Sequence, residues 1–199
     1  MKSLIFDFDG VIGDTFEVSA QFLVKHSRFS LDRAKELLIK DGLKNKKDSF
    51  FYRYVKSWYY RKLLKQFRES KADLIFADKF QELIEKWSDS PKAILTRSDS
   101  RVCRALLGER QKHFEFILGR DIVNSKQKGF ETISLSSRFK PENCIFITDS
   151  VGDYEELSRA SVKPAQIYVV SWGFQPKELL LKYIDESIII DSFQEITSD

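Results

Sequence analysis

The amino-acid sequence predicts an α/β fold with a parallel-sheet core and a small all-helical segment inserted after the first strand. Short apolar runs rich in β-branched and aromatic residues recur along the chain, and they are continuous, as expected for strands covered on both faces. Amphipathic helical patterns separate the later runs. Because strands that alternate with helices pair in parallel through right-handed crossovers, these runs predict one parallel sheet.

Strands and helices of the core are predicted to alternate along the sequence. The strands are predicted at Ser3–Phe6, Ala93–Leu95, Phe114–Leu118, Cys144–Ile147, Gln166–Val170 and Ser187–Ile190. The helices are predicted at Lys79–Trp87, Arg101–Leu107, Gly129–Phe139, Tyr154–Ala160 and Lys177–Tyr183. The first of these helices shows the pattern clearly, because Phe80, Leu83 and Trp87 fall on one apolar stripe.

The segment after the first strand has helical patterns and no convincing strand. Helices are predicted at Glu17–Lys25 and at Leu31–Lys40, with Gly42 as the residue that ends the second one. A third helix is predicted at Asp48–Glu69, with Asp48 as its N-cap. The third helix is crowded with aromatic side chains, which we expect to form the core of this helical unit; a dimer contact or a lid over the substrate are the alternatives.

The core and the helical insertion differ in charge. We predict a core domain from residues 1–15 and 74–199 and a helical cap domain from residues 16–73. The net charge is +3, but residues 16–76 carry fifteen Lys and Arg against seven Asp and Glu. Basic residues interleaved with aromatics suit single-stranded nucleic acid, so a nucleic-acid-binding protein is an alternative interpretation. We favour the view that a basic cap attracts anionic phosphate esters.

The composition predicts a cytoplasmic protein. The chain is 42% hydrophobic and 32% charged, which is typical of soluble globular proteins. Asp7 and Asp9 interrupt the first apolar segment, which lacks the features of a secretory signal. Since no stretch approaches the roughly 20 apolar residues that span a bilayer, we expect no membrane partner. We expect a monomer or a homodimer.

Acidic and hydroxyl side chains cluster where predicted strands end. The residues that follow the first, second and fourth strands are Asp7 and Asp9, then Thr96, Arg97 and Ser98, then Thr148, Asp149, Ser150 and Asp153. In an open parallel sheet, ligands bind outside the carboxyl ends of the strands. We therefore expect these side chains, although distant in sequence, to meet at one edge of the sheet.

The clustering of carboxylates predicts a divalent cation. Carboxylates repel each other and are costly to bury, and a cation with oxygen ligands compensates both effects. Mg²⁺ is expected, because it accepts a few carboxylates together with water and substrate phosphate. A single aspartate would not support this prediction, since Asp commonly caps helices and begins turns.

At these residues the sequence resembles the haloacid dehalogenase-like hydrolases, and in particular their phosphoglycolate-phosphatase-like branch. Phosphatases of this family carry a D-x-D-G-[TV] motif, here DFDGV, a Thr or Ser after a later strand, here ILTRS, and an acidic motif, here IFITDSVGDYEEL. The resemblance covers nearly the whole chain, since VVSWGF and SIIIDSFQEI are also similar. It implies a Rossmann-like core with a helical cap.

The resemblance implies a role for each matching residue. Asp7 would attack phosphorus and form an aspartyl-phosphate, and Asp9 would protonate the leaving alkoxide and then activate water. Thr96 would bind the phosphoryl oxygens. The Asp7 side chain, the Asp9 backbone carbonyl and Asp149 would hold Mg²⁺. Asp153 would assist the metal directly or through water.

The family also places a phosphate-binding lysine before the helix that precedes the acidic motif, often as Lys-Pro. Here the segment GRDIVNSKQKGFETI has no proline and offers Lys126 and Lys128. Lys126 lies at the better spacing from Asp121 and Asp149. Lys128 is followed by glycine at a predicted helix start, and we prefer Lys126 over it.

The predicted reaction is hydrolysis of a small phosphorylated metabolite. Arg97 and Ser150 are further candidates for binding its phosphate. A phosphomutase would keep the same catalytic residues and differ in how the cap returns the phosphoryl group to substrate, so it stays an alternative. Asp9 argues against a dehalogenase, because a halide leaving group requires no proton.

Overall fold

The computed structural model describes residues 1–43, 62, 65–67, 69 and 73–197. The predicted helix Asp48–Glu69, with its basic and aromatic side chains, lies mostly outside these residues. Its proposed aromatic core and the alternative role in nucleic-acid binding therefore stay predictions. Within the described part of the chain, no helix is both long enough and apolar enough to cross a membrane.

A parallel sheet forms the centre of the fold. The described strands are β1 (Ser3–Phe6), β2 (Lys92–Leu95), β3 (Phe116–Leu118), β4 (Cys144–Thr148), β5 (Gln166–Val170) and β6 (Ile189–Ile190). They lie in the order β3-β2-β1-β4-β5-β6, and all neighbours pair in parallel. The first strand of the sequence is therefore central, with β2 and β4 on either side.

Helices separate the strands, as the sequence predicts. The described α-helices are α1 (Phe16–His26), α2 (Leu31–Asp41), α3 (Ala77–Lys86), α4 (Ser100–Leu107), α5 (Lys126–Ile133), α6 (Val151–Ser158) and α7 (Lys177–Leu180). Short 3₁₀ turns lie at Gly108–His113, Pro141–Asn143, Glu186–Ile188 and Phe193–Glu195.

Side-chain caps place two helices earlier than the apolar pattern predicts. The helix predicted at Gly129–Phe139 begins at Lys126, because the Ser125 hydroxyl accepts from a backbone N–H in the first turn. The helix predicted at Tyr154–Ala160 begins at Val151, after the Ser150 cap. Both caps bring the start of a helix close to the end of a strand.

Both faces of the sheet are buried, as the continuous apolar strands predict. Leu4 and Phe6 of β1 belong to a buried cluster that includes Phe80 of α3. Ile5, whose side chain points to the opposite face, belongs to a cluster with Phe130 of α5. This two-sided burial anchors β1 and fixes the position of the residues that follow it.

The helical insertion leaves and rejoins the core at adjacent positions. The N–H of Asp14 donates to the Leu74 carbonyl at 2.6 Å, and the N–H of Phe76 donates to the Ile12 carbonyl at 2.9 Å. Between these points, α1 and α2 pack through the buried residues Ala20, Leu23, Ala34 and Leu38. The domain boundaries predicted at residues 15 and 74 stay a prediction.

Candidate active site

The carboxyl ends of β1, β2 and β4 lie side by side, because these strands are neighbours in the sheet. Asp7 follows β1, Thr96 follows β2 and Asp149 follows β4, each as the first residue after the strand. All three are buried. The sheet order therefore brings together polar side chains that are far apart in the sequence.

Asp7 is held by both its backbone and its carboxylate. Its N–H donates to the Ile147 carbonyl at 2.8 Å, so the pairing of β1 with β4 extends to this residue. The N–H of Phe8 donates to Asp7 Oδ1 at 2.7 Å, and the Phe8 ring is fully buried in the core. Phe8 thus anchors the chain while Asp7 lies at the sheet edge.

Lys126 contacts Asp7 from the first turn of α5. Its side chain is only 1% exposed, and its Nζ lies 2.9 Å from Asp7 Oδ1 and 3.1 Å from Asp153 Oδ2. It also donates to the Leu95 carbonyl at 2.5 Å, so all three ammonium donors have acceptors. Lys128 lies exposed on the same helix. The structure brings Lys126, and not Lys128, to the carboxylates.

Asp153 lies between two cations. An Arg97 nitrogen lies 2.5 Å from its Oδ1, while Lys126 contacts its Oδ2. Although burial alone would raise the pKa of Asp153, Arg97 and Lys126 hold it below its usual range. Because Arg97 contacts one Asp153 oxygen and Lys126 contacts the other, the carboxylate is held in place and can orient Lys126. Arg97 faces this carboxylate and, at 3.7 Å, Glu156, so its role in binding substrate phosphate stays a prediction.

Asp9 is held by two hydroxyl groups. Thr15 Oγ1 donates to its Oδ1 at 2.6 Å, and the Ser98 hydroxyl donates to its Oδ2. Gly10, at φ +75°, begins the turn that follows and lets the chain reverse there. Ser98 is among the residues that the sequence predicts at this sheet edge, whereas no sequence motif assigns Thr15 to the site.

Asp149 lies against backbone rather than against a cation. Its Oδ2 accepts from the Phe174 N–H at 2.8 Å. A Cβ added at Gly10 would lie 2.1 Å from this oxygen, and one added at Gly173 would lie 2.2 Å from Asp149 Cβ, so both glycines are needed for the close approach. Among the described residues, no ion pair involves Asp149. Phe174 and Gly173 lie in the VVSWGF motif, but the sequence does not predict their contact with Asp149.

Thr96 and Ser150 have local roles in addition to their predicted ones. Thr96 Oγ1 accepts from the Ser98 N–H at 3.0 Å, and within the described part of the chain its own hydroxyl proton has no acceptor. Ser150 Oγ accepts from the Asp153 N–H at 3.3 Å and caps α6. Ser150 therefore fixes the start of the helix that carries Asp153.

Burial raises the pKa of three carboxylates. For Asp7, burial raises the pKa to about 7, against the attraction of Lys126. For Asp9, burial raises the pKa, and the hydrogen bonds from Ser98 and Thr15 oppose the shift. For Asp149, burial and the nearby Asp7 hold the pKa well above its usual range. Negative charge in this site is therefore only partly compensated by protein groups.

The donor set fits Mg²⁺. Four carboxylates, those of Asp7, Asp9, Asp149 and Asp153, face two cations, and Asp149 has no cationic partner among the described residues. No group of three or more acidic, His or Cys side chains in this part of the chain is arranged to enclose a metal by itself. Mg²⁺ needs no such cage, because it binds one or two carboxylates and keeps water and substrate oxygens as its other ligands.

The sequence profile of the haloacid dehalogenase-like hydrolases matches residues 4–167. The chain belongs to this family. The resemblance inferred from the motifs is confirmed, because the match extends from β1 into β5 and includes the three strand ends that form the site. No curated protein matches the chain.

Solved structures share the fold of this haloacid dehalogenase-like hydrolase. A predicted phosphatase from Clostridium acetobutylicum superposes with a TM-score of 0.70 at 18% identity, over 98% of this chain and 95% of that one. A haloacid dehalogenase-like family hydrolase from Streptococcus pneumoniae gives 0.65 at 19% identity, over 94% and 92%. CbbY from Rhodobacter sphaeroides, in complex with phosphate, gives 0.65 at 19% identity, over 97% and 95%. The predicted α/β fold class is confirmed.

Proposed function

We propose that the chain is a Mg²⁺-dependent phosphatase that hydrolyses a small phosphomonoester through an aspartyl-phosphate intermediate. The observation that carries the proposal is the 2.9 Å contact between the buried Asp7 carboxylate and Lys126, beside a second carboxylate, Asp9, that is held separately. Covalent phosphoryl transfer needs a nucleophile and a distinct acid/base group. Membership in a hydrolase family supports the same conclusion.

In the first step, an Asp7 oxygen attacks phosphorus while the bond between phosphorus and the ester oxygen breaks. Asp9 gives its proton to the leaving alkoxide. Lys126 orients Asp7 and lowers the pKa that burial raises, which favours the nucleophilic carboxylate. The free hydroxyl proton of Thr96 can bond a phosphoryl oxygen from the neighbouring strand end.

In the second step, water attacks phosphorus and the bond to Asp7 breaks, which releases phosphate. Asp9, now ionised, accepts a proton from the attacking water and returns to its starting state. A raised pKa suits this exchange, because a larger fraction of the carboxyl group then carries the proton that it must donate to the leaving group. The hydroxyls of Thr15 and Ser98 keep Asp9 in one orientation.

Asp7, Asp149 and the backbone carbonyl of Asp9 would hold Mg²⁺. The bound ion would neutralise part of the carboxylate charge and stabilise the charge on the transferring phosphoryl group. The uncompensated Asp149 supports this assignment, whereas Asp153 is already paired with Arg97 and Lys126.

We propose a small phosphorylated metabolite as the substrate. The excess of basic residues in the insertion would attract an anionic ester. CbbY, which shares the fold, has also been solved with xylulose-(1,5)bisphosphate.

The test is hydrolysis of an aryl phosphate and of a panel of phosphorylated metabolites, each with Mg²⁺ and with a chelator. Asp7→Asn should abolish turnover, and the chelator should abolish wild-type turnover until Mg²⁺ is restored. Asp14→Asn, an exposed change near the same turn, is the matched control and should keep activity. Turnover by purified Asp7→Asn would disprove the nucleophile, and turnover without metal would disprove the role of Mg²⁺.

A further inference from the structure

Phe174 contacts both the candidate metal carboxylate and the helical insertion. Its N–H donates to Asp149 Oδ2 at 2.8 Å. Its ring packs edge-on against Phe16, the first residue of α1, with the ring centroids 4.9 Å apart. Phe174 also packs against the buried residues that join α1 to α2. One residue therefore links the orientation of Asp149 to the position of the insertion.

Gln175, the next residue, ties the insertion to the start of α6. The side chain is fully buried. Its Oε1 accepts from the Val151 N–H at 2.8 Å, and its Nε2 donates to the Ile39 carbonyl of α2 at 3.1 Å. A buried amide is costly unless its groups are bonded. Gln175 is therefore satisfied only while α2 lies against the core.

The end of α2 approaches the core so closely that a side chain at Gly42 would displace the Gln175 amide. The Gly152 N–H donates to the Gly42 carbonyl at 2.8 Å. A Cβ added at Gly42 would lie 2.9 Å from Gln175 Nε2 and 3.3 Å from Ser150 Cβ. Leu43 packs against a cluster of the core that includes Val151. The contact is thus specific and lies directly beside the segment that carries Asp149.

We propose that Phe174 and Gln175 are positioning residues that couple the docking of α1 and α2 against the core to the orientation of Asp149. The inference rests on the proposed function, because it assigns Asp149 to the metal. When α2 is docked, Gln175 holds the backbone that places the Phe174 N–H on Asp149. When α2 is not docked, this hydrogen bond loses its support and the site binds Mg²⁺ less tightly.

The coupling is reciprocal. If docking favours Mg²⁺ binding, then Mg²⁺ must favour docking by the same factor. Mg²⁺ should therefore protect the peptide bonds of α2 from protease, although α2 contributes no predicted metal ligand. This effect gives a measurement that is independent of turnover.

Gln175→Met tests the coupling, because it keeps the size and flexibility of the side chain and removes both hydrogen bonds. The Mg²⁺ concentration at the midpoint of the Mg²⁺-induced rise in Tm should increase about tenfold, as is typical when an outer partner of a metal ligand is lost. The midpoint for activation should rise by the same factor, and kcat at saturating Mg²⁺ should largely recover. A raised Mg²⁺ midpoint with a recovered kcat distinguishes a positioning role from general damage to the fold.

Trypsin gives the second readout, through cleavage after Arg33 and Lys35 in α2 followed by mass spectrometry. Mg²⁺ should slow this cleavage in the wild-type protein and have a smaller effect in Gln175→Met. Phe139→Leu is the matched control, since Phe139 is fully buried in the sheet cluster that contains Ile5. It should lower Tm without moving the Mg²⁺ midpoint.

Phe16→Leu provides a milder variant if Gln175→Met does not fold. It loosens the ring contact with Phe174 and leaves every hydrogen bond of the segment in place, so the Mg²⁺ midpoint should rise about threefold. An unchanged midpoint in a folded variant, together with unchanged protection of α2, would overturn the coupling.

Failure of the coupling and failure of the proposed function give different results. If the wild-type Tm responds to Mg²⁺ but no phosphate ester is hydrolysed, the proposed function fails while the thermal and protease measurements still decide the coupling. If the wild-type Tm does not respond to Mg²⁺ while Mg²⁺-dependent turnover is present, the coupling fails and the proposed function stands.

Discussion

The buried carboxylates on two sides of the candidate site have pKa values shifted in opposite directions. On one side, Asp153 pairs with Arg97 and Lys126, and these cations hold its pKa low against burial. On the other side, Asp149 lies against a backbone N–H, and burial holds its pKa high. The two residues are four positions apart in one motif. Both carboxylates are buried, so the difference in pKa comes from the groups that contact them.

The protein supplies the cations that pair with Asp153, whereas Asp149 requires a cation from outside the described residues. The paired side is complete and can orient Asp7 through Lys126. The unpaired side retains an uncompensated carboxylate at the edge where substrate would bind. A protein that buries such a group lowers its own stability, and we expect a bound cation to reverse that loss.

Lys126→Met should have the largest effect, because it removes the cation from the paired side. Breaking a buried ion pair costs about 3–5 kcal/mol, so the free energy of unfolding in urea should fall by that amount. The kcat should fall about 100- to 1,000-fold, as on loss of one preorganised charge-stabilising group. Lys128→Met, an exposed change on the same helix, should leave both quantities unchanged, and equal effects of the two variants would contradict the assignment of Lys126.

Asp149→Asn should act in the opposite direction on stability. Mg²⁺ affinity, followed by the Mg²⁺-induced change in Tm, should fall at least about 100-fold. The metal-free variant should nevertheless be at least as stable as wild type, because burial disfavours the charged form of the carboxylate that is removed. Asp78→Asn, an exposed substitution, should change neither quantity. Strong destabilisation of metal-free Asp149→Asn would contradict the comparison between the two sides.

Metal-free stability should fall as pH rises. The pKa of Asp7 is about 7 in the folded protein and near 3.8 when unfolded, so between these values the folded state binds more protons. The free energy of unfolding therefore decreases as the pH rises through this window, and Tm should fall by several degrees. Asp7→Asn should flatten the dependence, and Mg²⁺ should raise Tm more at pH 8 than at pH 5. A Tm that rises with pH in the wild type but not in Asp7→Asn would contradict the direction of the shift.

Ser98→Ala should have the smallest effect. It removes one of the two hydroxyls that orient Asp9 and leaves Thr15 in place. We expect kcat to fall about threefold to tenfold at unchanged Mg²⁺ affinity, a size that corresponds to about 1 kcal/mol for one hydrogen bond. Ser98→Thr retains a hydroxyl and should recover most of the rate; a similar loss in both variants would indicate a packing effect.

Much of the site could be predicted because its chemistry is local in sequence. The Asp-x-Asp pair after a buried strand, the hydroxyl after the second strand and the acidic motif after the fourth are each readable as strand ends. The partners of these groups were harder to predict. Ser98, Phe174 and the two glycines that admit Asp149 lie in motifs that are readable in the sequence, but only the fold sets their contacts with Asp9 and Asp149. Helix starts also shifted, because single caps such as Ser125 decided them.

The sequence by itself determined the α/β class, the family and the identity of the nucleophile candidate, because apolar periodicity and short motifs carry that information. Only the tertiary structure decided between Lys126 and Lys128 as the neighbour of Asp7. It also decided which carboxylate is paired with a cation, and how Phe174 and Gln175 join the insertion to Asp149. The physical reason is that electrostatic partners are set by distance in space, and strand order and helix capping bring these groups within hydrogen-bonding distance.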